Sequence, residues 1–282
     1  MVSGSGWNCI TLNIPIGGWI SGLYSRQRRL CCLGMEHSRR GVLALKLEVH
    51  CHTKYSHDSL LGFTMLYWKC LIKKIEYIAI TEHNNLDGAI AFERFCKKKG
   101  GRIHVIKGEE IFTTEGEVIG LYLKKEISSG MSPESTINQI VEQCGVVYIP
   151  HPYDEKRYKT VLSENAIARN SSKIDCIECH NGRNVSDSFD VEQNKIAEKY
   201  GKKKVIGSDA HTIIEIGRNY MDVSIAPVDR ESFLEAIENS ILHKKKCIKF
   251  AHQTTKIVRV VKMIREGNIG EICRIFNRKI KL

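Results

Sequence analysis

From residue 42 onward, short β-branched runs alternate with amphipathic stretches, and polar residues gather at one end of the runs. The strand candidates are 45–49, 77–81, 103–106, 118–123, 146–149, 174–178 and 204–206, and helical periodicity occupies about 59–75, 87–99, 133–144, 160–170 and 187–200. A further helix is expected over 229–242, with Asp229 as its N-cap. Strands that alternate with helices predict parallel pairing through crossover connections, hence an α/β fold, and seven strands suit a barrel as well as an open sheet.

The ends of these strands carry the functional signal. His50 and His52 close the first, His83 the second, Glu109 and Glu110 the third, His151 the fifth, His180 the sixth, and Asp209 with His211 the seventh. In a parallel barrel the C-terminal strand ends converge on one face, so residues distant in sequence meet there. A single histidine of this kind is ordinarily a packed or surface residue. Six of seven strands ending in His, Asp or Glu is a pattern that chance does not readily produce. Within it, His50-Cys51-His52 places two imidazoles on one side of a strand, where both can reach one metal ion. Asp209-Ala210-His211 repeats the arrangement with a carboxylate.

Together the segments His50-x-His52-Thr53 with Ser56-His57-Asp58, Thr81-Glu82-His83-Asn84, Gly108-Glu109-Glu110, His151-Pro152 and Gly207-Ser208-Asp209-Ala210-His211 resemble the PHP (polymerase and histidinol phosphatase) family over about residues 46–240. The resemblance implies a distorted seven-stranded parallel (β/α) barrel, a cluster of two to three divalent metal ions and phosphoester hydrolysis. It further implies that His50, His52, Glu110 and Asp209 hold one metal, that Glu110 bridges to a second bound by His151, and that Asp58, His83 and His211 hold a third. His57 is the alternative to Asp58. Imidazole and oxygen donors without thiolate suit Mn, Fe, Zn or Mg. Glu82 stands where many relatives have Asp, and is expected to support ligands without binding metal itself. Many relatives also carry a His near the fourth strand. Here the segment reads Glu115-Gly116-Glu117, so either Glu117 takes its place or the second metal site is incomplete. Clustered metals would activate a water and clamp the phosphoryl oxygens. Arg183 and Arg218 are candidate phosphate anchors, and His180 a candidate acid for the leaving oxygen.

Charge and cysteine usage narrow the class. The chain carries a net +11, but residues 1–44 contribute five Lys/Arg against one Glu and residues 241–282 twelve against two, which leaves 45–240 mildly acidic at 26 basic and 29 acidic residues. The organisation expected is an N-terminal extension over 1–41 outside the fold, a phosphoesterase domain over 42–242 and a basic helical tail over 243–282. In that tail Ile257, Val260, Val261 and Ile264 read as an apolar face that packs on the domain. Eleven scattered cysteines, an odd number, fit reduced thiols in a cytoplasmic protein. Cys176-Ile177-Glu178-Cys179-His180 matches the c-type haem motif, but ends a buried strand in a chain without an export signal. Residues 7–24 are too short and polar to span a membrane. The expected substrate is a phosphorylated compound, a nucleotide or the end of a single-stranded nucleic acid. The alternatives are a small-molecule phosphatase of the histidinol-phosphate type and a non-catalytic metal-binding module.

Overall fold

Period-two burial drives the strands. In β2, Tyr77–His83, Ile78 and Ile80 join one apolar cluster with Leu66, Phe92 and Ile137 of the surrounding helices, while Tyr77 and Ala79 join another with Leu47, Val49 and Tyr148. Successive side chains point to opposite faces, so a strand buried on both faces reads as a continuous apolar run. The computed structural model describes residues 44–154, 157–248, 250–265 and 267.

The remaining strands are β1 (Leu45–Cys51), β3 (His104–Thr113), β4 (Gly116–Leu121), β5 (Val146–Ile149), β6 (Cys176–Asn181), β7 (Lys203–Ala210), β8 (Tyr220–Val223) and β9 (Ile241–His243). The helices are α1 (Phe63–Lys73), α2 (Asp87–Lys98), α3 (Pro133–Glu142), α4 (Glu164–Asn170), α5 (Asp187–Lys199), α6 (Arg230–Glu238) and α7 (Ala251–Arg265). The sheet runs β2-β3-β4-β5-β6-β7-β1, and β1 pairs again with β2, which closes a seven-stranded barrel. Asp229 caps α6 as expected, accepting the Ser232 N–H at 2.9 Å.

Two features correct the sequence reading of the fold. The barrel is mixed, because β4 runs antiparallel to both β3 and β5. Only Thr114 and Glu115 separate β3 from β4, too few residues for a crossover, and Gly116 at φ 127° takes the left-handed turn. Beyond the barrel, β8 pairs antiparallel with the start of β1, and β9 pairs antiparallel with β8. The helix read as 229–242 therefore stops at Glu238 and the chain continues as a strand.

The expected apolar face of the last helix is also corrected. Ile257 and Ile264 are 63% and 60% exposed, whereas Ala251, Val258 and Met263 are buried. Polar anchors hold α7 in this orientation. Arg183 donates from Nη2 to the Ala251 carbonyl at 3.1 Å, and Lys262 donates from Nζ to the Lys54 carbonyl at 2.7 Å. The expected extension over 1–41 and the basic residues Arg274, Arg278, Lys279 and Lys281 lie outside the described residues. Cys51, Cys70, Cys96, Cys176 and Cys179 are buried free thiols, and among the described residues no helix is long and apolar enough to cross a membrane.

Candidate metal centre

Every barrel strand except β6 brings a polar residue on it or just after it to one place. Glu110, at the end of the β3 run Gly108-Glu109-Glu110, lies at the centre. Its Oε1 is 3.2 Å from His50 Nε2 and 3.1 Å from His151 Nε2. Its Oε2 is 3.3 Å from His52 Nε2 and 3.0 Å from His83 Nδ1. Asp209 Oδ1 lies 3.6 Å from both His50 Nε2 and His52 Nε2. Asp58 Oδ2 is 3.1 Å from His211 Nε2 and 3.5 Å from His83 Nε2. The structure thus brings together all eight ligand candidates, His50, His52, Asp58, His83, Glu110, His151, Asp209 and His211. His57 also lies close to Asp58 and His83, though its own side is exposed.

Glu117 joins them from β4, with Oε2 3.6 Å from His151 Nε2 and Oε1 3.6 Å from His83 Nδ1. The antiparallel turn puts it there. The hairpin pairs Phe112 with Glu117, two positions along from the Glu110–Ile119 pair. Burial first, and then the charge of Glu110, push the Glu117 carboxyl up to about 7.

A second tier of carboxylates fixes the imidazoles. Glu178 accepts from His50 Nδ1 at 3.0 Å, from the His151 N–H at 2.6 Å, from Asn181 Nδ2 at 2.9 Å and from the Tyr148 hydroxyl. Glu82 accepts from the Thr53 N–H at 3.0 Å and from the Thr53 and Ser56 hydroxyls. Ser56 Oγ in turn stands 3.1 Å from His52 Nδ1. Since that hydroxyl gives its proton to Glu82, the ring must donate from Nδ1. His211 Nδ1 likewise donates to the Asp209 carbonyl at 2.9 Å, and Glu215 accepts from the His211 N–H at 3.0 Å. His50, His52 and His211 therefore have Nδ1 committed to a partner and the Nε2 lone pair turned inward. Gly207 and Gly88 make room for this tier, since a Cβ at Gly207 would lie 1.6 Å from Glu178 Oε1 and one at Gly88 2.5 Å from Glu82 Oε1.

The inner atoms are left without hydrogen bonds. His50 Nε2, His52 Nε2, Asp58 Oδ1 and Glu110 Oε2 are all buried and without a hydrogen bond. Buried polar atoms are normally satisfied, and lone pairs facing lone pairs repel. Only a cation, whether protons or metal ions, reconciles them. Protons do so in part. Burial opposes charging His50 and His83, yet Glu110 and the other carboxylates hold both rings well above the usual histidine range. Burial and the neighbouring His211 and His83 instead push His52 well below it, which keeps its Nε2 lone pair free. Burial likewise opposes ionising Glu110, but His50 and His83 hold its carboxyl well below the usual range. The donor set fits divalent metal ions, with His50, His52 and Asp209 forming one group, His50, Glu110 and His151 another, and His52, His83 and His211 a third.

Backbone geometry at the ligands is unusual. His50, His151 and Asp209 have φ of 65°, 28° and 47°, and Asn84, which follows His83, has 49°. Non-glycine residues rarely occupy this region, and His50, His151 and Asp209, which adopt it at or just after strand ends, are all buried in the cluster.

The other site candidates fare differently. Arg183 lines the cleft over the cluster, but its guanidinium is taken up by Glu215 at 3.0 Å, by the Ala251 carbonyl and by the Thr255 hydroxyl. His180 is not part of the cleft lining. Its Nδ1 pairs with Asp190 at 2.6 Å and its Nε2 lies 3.2 Å from Asn219 Oδ1. Arg218 donates to the Lys246 carbonyl at 2.9 Å and lines a separate cleft with Lys46 and Lys73. An arginine that the sequence did not single out takes a place at the site. Arg157 donates from Nη1 to Asp209 Oδ2 at 2.6 Å and from Nε to Asp154 at 3.1 Å. It lies in the loop after His151, where no periodicity marks it. The cleft measures about 370 Å³, and Arg157, Lys159, Lys256 and Arg259 lie along its lining above the acidic floor.

Comparison with known proteins identifies the family and the fold. The family model of the PHP domain matches residues 48–235. An uncharacterised protein of Methanocaldococcus jannaschii, MJ0417, is 30% identical over 196 residues, which cover 69% of this chain and 77% of that protein. A second from the same organism, MJ1587, is 40% identical over 119 residues, 39% of this chain and 68% of that protein. Among solved structures, the fold is shared with a two-domain protein of Bacteroides vulgatus that contains a predicted PHP-like metal-dependent phosphoesterase. There the TM-score is 0.56 at 18% identity, over 71% of this chain and 65% of that one. It is also shared with an amidohydrolase of Chromobacterium violaceum, with a TM-score of 0.51 at 16% identity, over 71% of this chain and 98% of that one.

Proposed function

The chain belongs to the PHP domain family, and from that premise we propose that it is a metal-dependent phosphoesterase acting on nucleotides or nucleic-acid ends. One observation carries the reading, the inward ring of buried Nε2 and carboxylate atoms that no hydrogen bond satisfies. Donors of this kind hold divalent cations, and such cations bound there would supply Lewis acidity and lower the pKa of water. His50, His52, Glu110 and Asp209 are the proposed ligands of one ion and His151 with Glu110 of a second. Asp58, His83 and His211 are those of a third. Glu117 completes the second set in place of an imidazole.

The remaining residues orient and exclude. Glu178, through His50, and Ser56, through His52, keep the lone pairs inward and fix the tautomers, and Glu178 also holds the His151 backbone N–H. Arg157 holds Asp209 and stands at the cleft, where its remaining N–H groups face an incoming phosphoryl oxygen. The acidic floor beneath a cationic rim suits a phosphate ester that presents its reacting phosphorus downward and its other charges outward.

The test is a screen with Mn²⁺ of nucleoside monophosphates, 5′-phosphorylated oligonucleotides, histidinol phosphate and a chromogenic phosphomonoester. Release of phosphate or nucleotides from the first two classes is the expected result. Turnover confined to histidinol phosphate or other small esters would replace the nucleotide reading with the small-molecule one. Absence of turnover on every ester with Mn²⁺, Zn²⁺, Fe²⁺ or Mg²⁺ would sink the enzyme reading.

A further inference from the structure

The last helix buries Ala251, Val258 and Met263 and presents a row of polar and cationic residues to the cleft. On α7, His252, Thr255, Lys256, Arg259 and Lys262 recur at three- and four-residue intervals and share one face. The first four of these line the cleft above the carboxylates. The face is pinned at both ends. Near the start, His252 Nε2 lies 2.9 Å from the Arg183 carbonyl and Arg183 bonds the Ala251 carbonyl and Thr255 hydroxyl. Near the end, Lys262 bonds the Lys54 and Ser56 carbonyls.

Between the pins stand Lys256 and Arg259. Neither has a hydrogen-bond or ion-pair partner among the described residues, unlike Arg157, Arg183 and Lys262 around them. Nor does the floor supply a counter-ion for them. Asp209 is engaged by Arg157, and Asp58 by His83 and His211. Divalent cations on Asp58, Glu110, Glu117 and Asp209 would neutralise those carboxylates altogether. Lys256 and Arg259 are both exposed at the lip of the cleft, so two unpaired cations over a neutralised floor are open to an anion brought in by the ligand.

We propose that Lys256 and Arg259 hold a second phosphate group of the substrate, next to the one that is hydrolysed, an inference that rests on the phosphoesterase reading above. A guanidinium offers paired donors to two phosphate oxygens, and an ammonium adds a point charge beside it. The second phosphate is either a monoester elsewhere on the same nucleotide or the diester that leads to the next nucleotide of a strand.

Three substrates separate these sources: a nucleoside monophosphate, a nucleoside bisphosphate and a 5′-phosphorylated dinucleotide. In the parent, kcat/KM for at least one two-phosphate substrate exceeds that for the monophosphate by about tenfold or more, as expected for a charge-assisted contact. Preference for the bisphosphate identifies the monoester, and preference for the dinucleotide identifies the diester. Lys256→Ala and Arg259→Ala each lower that ratio about tenfold through KM, while Lys256→Arg retains it. Equal kcat/KM on all three substrates in the parent, or a ratio that neither alanine variant moves, overturns the proposal. Calorimetry keeps it separable from the enzymatic reading. Adenosine bisphosphate binds the metal-loaded parent about tenfold more tightly than adenosine monophosphate, and the double alanine variant, shown to melt like the parent, loses that preference. Equal affinities in the parent overturn the role of α7 even if no ester is ever turned over.

Discussion

Two tiers of buried carboxylates surround the centre, and they are satisfied in opposite ways. The outer tier, Glu82, Glu178 and Glu215, is saturated by donors of the protein itself, backbone N–H groups, hydroxyls, amides and a guanidinium. The inner tier, Asp58, Glu110 and Asp209, faces imidazole nitrogens; Arg157 reaches Asp209 Oδ2, but Asp58 Oδ1 and Glu110 Oε2 have no hydrogen bond at all. Carboxylates of the same kind thus do different work. The outer ones are finished by folding. The inner ones are finished only by something cationic, and that difference separates structural support from ligand binding more sharply than burial or residue type.

The largest effect should come from breaking the inner tier. Glu110→Gln removes the charge at the contact of four imidazoles and should cost at least ~100-fold in kcat/KM, since even outer groups are worth ~10–100-fold. Elemental analysis should show fewer equivalents than the two to three expected of the parent. Near-normal turnover and metal content would place the ligand role elsewhere, with Glu109 the first alternative.

Glu178→Gln tests the outer tier. It keeps one carbonyl acceptor but puts an amide opposite His50 Nδ1, the His151 N–H and the Tyr148 hydroxyl. Metal affinity should fall by ~10–100-fold in a protein that still folds. A loss as large as that of Glu110→Gln would erase the distinction drawn between the tiers.

Stripping metal with a chelator should lower the melting temperature by roughly 5–10 °C at a metal concentration of about a hundred dissociation constants, where binding contributes about 2.7 kcal/mol. Glu110→Gln should show a smaller chelator-induced shift than the parent. Identical shifts in the two proteins would mean that metal is held somewhere other than the inner tier.

The smallest effect concerns Glu48, a carboxylate of neither tier, bonded by the Gly217 N–H at 2.8 Å and with Oε1 unpartnered. Burial pushes its carboxyl up to about 8. The folded protein therefore holds this proton more tightly than the unfolded chain. Stability from the protonated form is full below about pH 4.5, falls as pH rises, and is lost once pH passes about 8. Glu48→Gln, which cannot ionise, should gain in melting temperature relative to the parent as pH rises from 5 to 8. A constant difference across that range would show that Glu48 stays ionised throughout.

Much of this was legible in the sequence because strand ends impose period and direction on chemistry. His50, His52, His83, His151 and His211 announce themselves by position after a β-branched run, and the seven barrel strands follow from the same runs. What escaped was set by contacts that no period reports. The direction of β4 depends on a two-residue link, and β8 and β9 are too short to show alternation. Glu178 read as one polar residue in a buried strand, although it ties together His50, His151 and Tyr148. Arg157 lies on an irregular loop. His180 and Arg218 had the right chemistry and the right neighbourhood in sequence, but Asp190, Asn219 and the Lys246 carbonyl hold them elsewhere. On α7 the helical period was plain, but the buried positions are Ala251, Val258 and Met263 while Ile257 and Ile264 stay exposed, and the cationic residues beside them line the cleft.

The left-handed backbone at His50, His151 and Asp209 sets stability and function against each other. A non-glycine residue in that region costs on the order of 1–3 kcal/mol. Three such residues therefore weigh against the fold by an amount comparable to much of the ~5–15 kcal/mol that keeps a domain folded. Glycine at any of these positions would relieve its share while deleting a ligand. A library of this protein selected for heat resistance alone, with a chelator present, should accordingly drift toward glycine at positions 50, 151 and 209, whereas one selected for turnover should keep all three and seek its stability far from the barrel mouth.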